Sequence, residues 1–330
     1  MTSADTTATD LAERAGDADG VATPPGPDGY PVLGNVLSLA DDAFEFYETL
    51  SDHGDVARYR VLGTEGYAVT HPEAIRQVLV DDHEQYVKGE MPNDRLGSLL
   101  GDGLFLAEGD AWQRQRRAMQ PAFFREQIEE YGESVVDHTR AVTDGWDDGE
   151  TVAIDEVAST LTLRVLASTL LGIDAEAERE TVRRAATAIT QRYDTARLGS
   201  YLPEWLPTPT NRRYRRSLSD LHDLVDREVA ARRSAGGQPG DLLSMLVAAS
   251  DEGVIDDDTL RGNVVTFLFA GHETTALGLT YTLYLLATQP ATQRRLRDRL
   301  DATLDGEPTP ADLRNLPLLD AVIDESLRLY

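Results

Sequence analysis

The run from Val264 to Ala287 constrains this chain most: it is long and largely apolar, yet carries His272, Glu273, Thr274 and Thr275 side by side near its middle. A stretch of that length could cross a bilayer, but an ionisable cluster at bilayer depth is costly and needs a partner there. The run therefore reads as a long helix buried in a protein core, and no membrane span is expected. Burying an acid beside two hydroxyls is costly unless the groups are satisfied or used, and Gly271 weakens a helix by about 0.8–1 kcal/mol relative to alanine. Two such costs in one turn point to room being made against the backbone at Ala270 and Gly271. The turn can be a proton-delivery groove, in which a hydroxyl and a carboxylate serve an acceptor beside the helix. It can equally be a buried turn in which Thr274 bonds back to the preceding carbonyl while Glu273 reaches solvent.

Around this helix the chain reads as mainly α with a small β element near its start. Residues 1–23 are acidic and small and are expected to be disordered. Pro24 to Pro31 cannot form helix and should run extended to a break at Leu33-Gly34-Asn35. Phe44, Phe46, Tyr47 and Leu50 give an amphipathic helical pattern, and the runs Val56–Leu62 and Tyr67–Thr70 suggest a hairpin turning at Gly63-Thr64-Glu65-Gly66. Pro72 then stands at a helix start, with Ile75, Val78 and Leu79 as its expected buried face. From Asp110 onward apolar residues recur at three- and four-residue spacing, with breaks at glycine and proline. No internal repeat is visible, and one domain over 24–330 is the expected organisation.

Charge limits the possible partners. Fifty-eight Asp and Glu face 31 Lys and Arg, a formal −27 spread along the chain. Such a field opposes binding to phosphate backbones, so no nucleic-acid partner is expected. Lys88 is the sole lysine. A GC-rich genome would explain that deficit but not the acid excess, whereas a salt-loving source explains both, because salt screens the self-repulsion of a carboxylate-rich surface. There is no cysteine, so no disulfide and no thiolate metal site can come from these residues. The first twenty residues lack a basic start followed by an apolar stretch, and a cytoplasmic protein is expected.

Three further motifs mean little alone. Trp112 and Arg116 share a helical face, so an indole N–H and a guanidinium can address one anion, or simply form a cation–π pair. Glu325 and Arg328 are an ordinary pair three residues apart. The run Arg212 to Arg216 reads as the solvated start of a helix.

In order, Trp-x-x-x-Arg, Ala-Gly-x-Glu-Thr-Thr and, about fifty residues later, Glu-x-x-Arg resemble the cytochrome P450 family, as does the Pro-Pro-Gly-Pro opening. The resemblance runs from about Pro24 to Tyr330. It implies a P450-like helical fold and a haem-dependent monooxygenase acting on a hydrophobic small molecule. Trp112 and Arg116 would bond a haem b propionate, and Ala270 and Gly271 would mark where the distal helix bulges over the haem. Thr274 and Glu273 would be the alcohol and acid of the proton relay, and Glu325 and Arg328 a structural pair on the proximal side. Electrons would come from a separate ferredoxin or flavoprotein. The family's axial cysteine would then lie in a C-terminal segment beyond Tyr330, making this chain the larger, N-terminal part of the enzyme. A non-catalytic helical binding protein that retained part of the scaffold is the competing reading. Substrate contacts are expected between about Tyr86 and Phe105 and around Ala185 to Pro209.

Overall fold

A computed structural model describes residues 23–89, 96–173, 175–193, 202–235 and 240–330. The expected disordered tail, apart from Thr23, lies outside the described residues, as do parts of both segments expected to meet substrate. The chain divides into two compact units, one holding residues 1–87 and 193–203, the other 88–192 and 204–330.

In the smaller unit, helix α1 (Val36–Asp41) leads into α2 (Ala43–Ser51), whose N-cap Asp42 accepts hydrogen bonds from the amides of Phe44 and Glu45 at 2.9 and 3.0 Å. Phe46 and Leu50, one turn apart, pack with Ala57 into a small core, while Phe44 stays exposed. Strands β1 (Val56–Val61) and β2 (Thr64–Val69) pair antiparallel, with Val61 opposite Thr64. The turn is therefore the two residues Leu62 and Gly63, not the four from Gly63 to Gly66. Both have positive φ, +51° and +88°, the combination whose twist matches the flanking strands. The extended opening segment is pinned to β1: the Arg58 amide donates to the Pro25 carbonyl at 2.8 Å, and Asn35 accepts from the Arg60 amide at 2.9 Å. A Cβ on Gly26 would sit 1.7 Å from the Arg58 carbonyl oxygen, which is why no side chain is tolerated there. Helix α3 (Pro72–Arg76) continues as a π-turn through Asp81. Its expected buried face is not buried, for Ile75 and Leu79 are exposed.

Among its described residues the larger unit is built from helices and their connections and holds no strand. Its helices are α4 (Gly109–Met119), α5 (Arg125–Thr143), α6 (Ile154–Leu166), α7 (Ala175–Tyr193), α8 (Pro209–Ala235), α9 (Leu242–Asp251), α10 (Asp257–Thr288), α11 (Pro290–Thr303), α12 (Pro310–Leu313) and α13 (Pro317–Leu329). The apolar run is the body of α10. It starts where Asp256 accepts from the Thr259 amide at 2.7 Å and stops before Pro290. No helix among the described residues is long and apolar enough to cross a membrane.

Close approach to the α10 backbone at two glycines fixes the helix in place. Gly262 meets the end of the short helical stretch 96–100 that precedes α4, where a Cβ would lie 2.3 Å from the Leu100 carbonyl oxygen. At Gly271 a Cβ would lie 2.2 Å from Leu166 Cδ1 on α6. One turn away on α6, Thr162 donates to the carbonyl of His272 at 3.0 Å. Helix α9 is amphipathic with Leu242, Leu243 and Leu246 fully buried, each worth about 1.5–3 kcal/mol of burial. Its N-cap Asp241 takes the Ser244 amide and pairs with Arg232, which also donates to the Leu171 carbonyl at 3.0 Å. Gly172 has φ +59° and sits against that guanidinium, a position where any side chain would collide with Arg232.

Candidate functional site

Polar residues on α10 separate by face. His272 is buried, with its Nδ1 bonded to the Leu268 carbonyl at 2.5 Å. Two residues earlier and later in sequence, Ala270 and Thr274 point the other way and are exposed. They begin a stripe that continues through Leu277, Tyr281 and Tyr284, at spacings of four and three residues, all exposed. Tyr281 stacks on Tyr330 at 4.3 Å between ring centroids, and Tyr284 meets the same ring edge-on at 6.4 Å. Tyr330 covers the aromatic end of the strip, and the part from Ala270 to Leu277 on this long apolar helix is left open. An open strip of this kind marks a surface meant for an apolar partner.

Hydroxyls decorate the turn at its centre. Thr274 Oγ1 donates to the Ala270 carbonyl at 2.7 Å, and Thr275 Oγ1 to that of Gly271 at 2.9 Å. With Thr162 on His272, three successive carbonyls each carry a hydroxyl. The expected back-bonding of Thr274 is present. It also turns the lone pairs of Thr274 outward over the open strip, where they can accept a proton donor. Glu273, next to it, is half-buried. The bulge expected at Ala270 and Gly271 is absent, since α10 runs as regular α-helix from Asp257 to Thr288. Gly271 serves the close approach of Leu166, and the strip is open because α10 is uncovered there.

Arg116 stands beside the upper end of this strip. It lies 5.2 Å over the Trp112 ring and, among the described residues, has no carboxylate partner. With Leu104, Met119, Gln120, Phe123 and Phe267 it lines a cavity of about 280 Å³. Phe123 and Phe267 stack at 5.7 Å, joining the wall of this cavity to α10 two turns before Thr274. A guanidinium without a counter-charge at the edge of an apolar, aromatic-walled surface suits a flat hydrophobic group that carries an anionic arm. The residues present therefore fit a haem.

A buried amide network sets the position of Arg116. Gln115 donates to the Asp102 carbonyl at 2.8 Å and accepts from Asn263 Nδ2 at 2.9 Å, while Asn263 Oδ1 accepts the Leu104 amide at 2.8 Å. Both side chains are buried, so α4, the loop before it and α10 are locked into one arrangement. Sequence reasoning missed this pair. An asparagine inside an apolar run was the available signal, because a buried amide must find partners.

Glu325 and Arg328 form a bidentate pair at 2.6 and 2.7 Å on the last turn of α13. Arg328's hydrogen bonds hold the Glu325 carboxyl below its ordinary value. The pair is exposed. It shares α13 with Tyr330's neighbours but takes no part in the strip.

Comparison with known proteins bears directly on this geometry. The family model for cytochrome P450 matches residues 24–330. The chain is 38% identical over 313 residues to a cyclooctat-9-en-7-ol 5-monooxygenase of Streptomyces melanosporofaciens, covering 92% of this chain and 67% of that protein. It is 35% identical over 314 residues to a pentalenene oxygenase of Streptomyces avermitilis, covering 92% and 68%. A bifunctional cytochrome P450/NADPH–P450 reductase of Bacillus cereus is 27% identical over 331 residues, covering 94% and 30%.

Proposed function

The chain belongs to the cytochrome P450 family and is a haem-dependent monooxygenase, and from that premise we propose how its own residues serve the reaction. Trp112 and Arg116 would hold a haem propionate by an indole N–H and a guanidinium, and Phe123, Phe267 and the strip from Ala270 to Leu277 would give the haem an apolar surface. The observation that carries this reading is the guanidinium of Arg116, without a carboxylate partner among the described residues, at the end of the open strip bearing Thr274. When bound, haem supplies the iron at which dioxygen is reductively activated. Thr274 holds a proton donor in place through its outward lone pairs, and Glu273 passes protons toward it from solvent. Glu325 and Arg328 anchor the proximal side. None of residues 1–330 is cysteine, so these residues would supply no thiolate to a haem iron.

Members of this family need an electron donor. A separate ferredoxin or flavoprotein fills that role for this chain, in contrast to the relative that carries its reductase in the same polypeptide. The substrate is a cyclic terpenoid hydrocarbon or alcohol, a reading supported by the names of the two relatives at 38% and 35% identity. The −27 net charge and the single lysine support a salt-adapted cytoplasm as its setting.

The test is turnover of the haem-loaded enzyme with a ferredoxin and its reductase, offered pentalenene and cyclooctat-9-en-7-ol under labelled dioxygen. One labelled oxygen atom in the product is expected. Electron consumption with both compounds left unoxidised would refute the terpenoid assignment.

A further inference from the structure

Helices α7 and α8 frame a surface cleft of about 700 Å³, and five of its nine lining residues are arginines: Arg183 and Arg184 from α7, Arg212, Arg213 and Arg216 from α8. All five are exposed. Glu180 engages Arg183 at 2.9 and 2.8 Å and approaches Arg184 at 3.7 Å, and Arg213 donates to Gln191 at 2.7 Å. Arg212 and Arg216, one turn apart on the same face, have no carboxylate partner among the described residues, although Asp220 lines the same cleft. The arginines farther along α8 and on α10 behave differently. Arg232 pairs with Asp241, Arg233 with Asp251 and Asp257, and Arg261 with Asp226 and Asp258.

That arrangement is unusual for a chain with 58 acidic residues against 31 basic ones. Five guanidiniums on one cleft repel one another, and Asp220, the one carboxylate lining it, makes no ion pair with Arg212 or Arg216 among the described residues. Beneath them Tyr214, Leu218 and Leu221 are buried, so the arginine face of α8 is fixed by the core. We propose that this cleft binds a small molecule bearing two or more linked phosphate groups. Guanidiniums offer a planar fork of donors that matches phosphate oxygens in pairs. Two helices that each contribute such forks, across a cleft of this size, suit linked anions better than one isolated ion. Nucleic acid carries the same chemistry, but the surrounding −27 field opposes a long polyanion. This inference does not depend on the haem site.

Inorganic diphosphate is the probe, titrated calorimetrically into the full chain at constant ionic strength, with orthophosphate and phosphatidylglycerol vesicles alongside. Saturable diphosphate binding is expected, at least tenfold tighter than orthophosphate. Arg212→Gln combined with Arg216→Gln should weaken it tenfold or more without moving the ligand-free melting temperature, while Arg294→Gln with Arg295→Gln on α11 should leave it unchanged. Arg212→Lys with Arg216→Lys keeps the charge and removes the fork, so it too should weaken binding, and it covers the case in which the glutamine variant fails to fold. Equal diphosphate affinity in all of these proteins would overturn the proposal. So would vesicle binding that the glutamine variant abolishes in a protein that ignores diphosphate.

Discussion

Replacing Asn263 with leucine should destabilise the larger unit far more than an ordinary polar-to-apolar change. Asn263 is fully buried, and its amide makes three hydrogen bonds: from the Leu104 amide at 2.8 Å, to Gln115 at 2.9 Å and to the Thr259 carbonyl at 3.0 Å. The Thr259 carbonyl also sits within reach of the helix's own ladder, so its loss matters little. The Leu104 amide and the Gln115 oxygen would be left unpaired, at about 1–3 kcal/mol each. The sum, about 2–6 kcal/mol, is a large part of the roughly 5–15 kcal/mol that keeps a domain folded. Thermal and urea melts of Asn263→Leu, Gln115→Met and the double variant measure it. Once one partner is gone the other should cost less, giving a coupling of about 1 kcal/mol or more. Additive effects, or a single variant that melts with the wild type, would refute the claim that these amides lock α4 to α10.

Gly271→Ala gains about 0.8–1 kcal/mol of helix propensity but puts a Cβ 2.2 Å from Leu166 Cδ1; a net loss of about 1–2 kcal/mol is expected, relieved by Leu166→Ala in the same chain, and melting temperatures report both. The Asp257 carboxyl is held at about 2 by hydrogen bonds from Arg233 and Ser250. Its folded value lies below the ordinary 3.8, so its contribution is complete above about pH 4 and disappears as pH falls toward 2. Melts of Asp257→Asn across that window should show a shallower acid slope than wild type. Thr274→Ala should leave folding and haem content unchanged, because the lost hydroxyl is exposed and bonds only within its own helix. In turnover it should divert reduced oxygen to peroxide, which a peroxide assay beside product yield will detect.

Much of the fold is local and was legible in the sequence for that reason. The long helix, its proline stop and the amphipathic α2 follow from spacing and from residues that act on their own neighbours. The hairpin was legible as a hairpin, but its turn was displaced because Leu62 adopts a positive φ that leucine seldom takes, and no turn residue advertises it. The open face at Ile75 and Leu79 reads as a core pattern, and periodicity cannot say whether a partner arrives. At the site, Thr274 back-bonding and the Trp112–Arg116 pair were visible as i to i+4 relations. The reason for Gly271 was not, because it lies in Leu166, more than a hundred residues away in sequence. Gln115 and Asn263 were hidden in the same way, since a hydrogen bond across 148 residues leaves no mark on either neighbourhood.

Titration of the apoprotein with haemin, followed by quenching of tryptophan fluorescence and by the haem absorption band, tests the haem face most directly. Arg116 and Arg117 are neighbours on α4, but Arg116 lines the aromatic cavity and Arg117 donates to Gln113 on the solvent side at 3.0 Å. Arg116→Ala should weaken haem binding by about 10- to 100-fold, the worth of one charge-assisted hydrogen bond. Arg117→Ala should leave it within twofold of wild type. Equal affinity in the two variants would contradict the assignment of Arg116 and the strip beyond it as the surface that receives the haem.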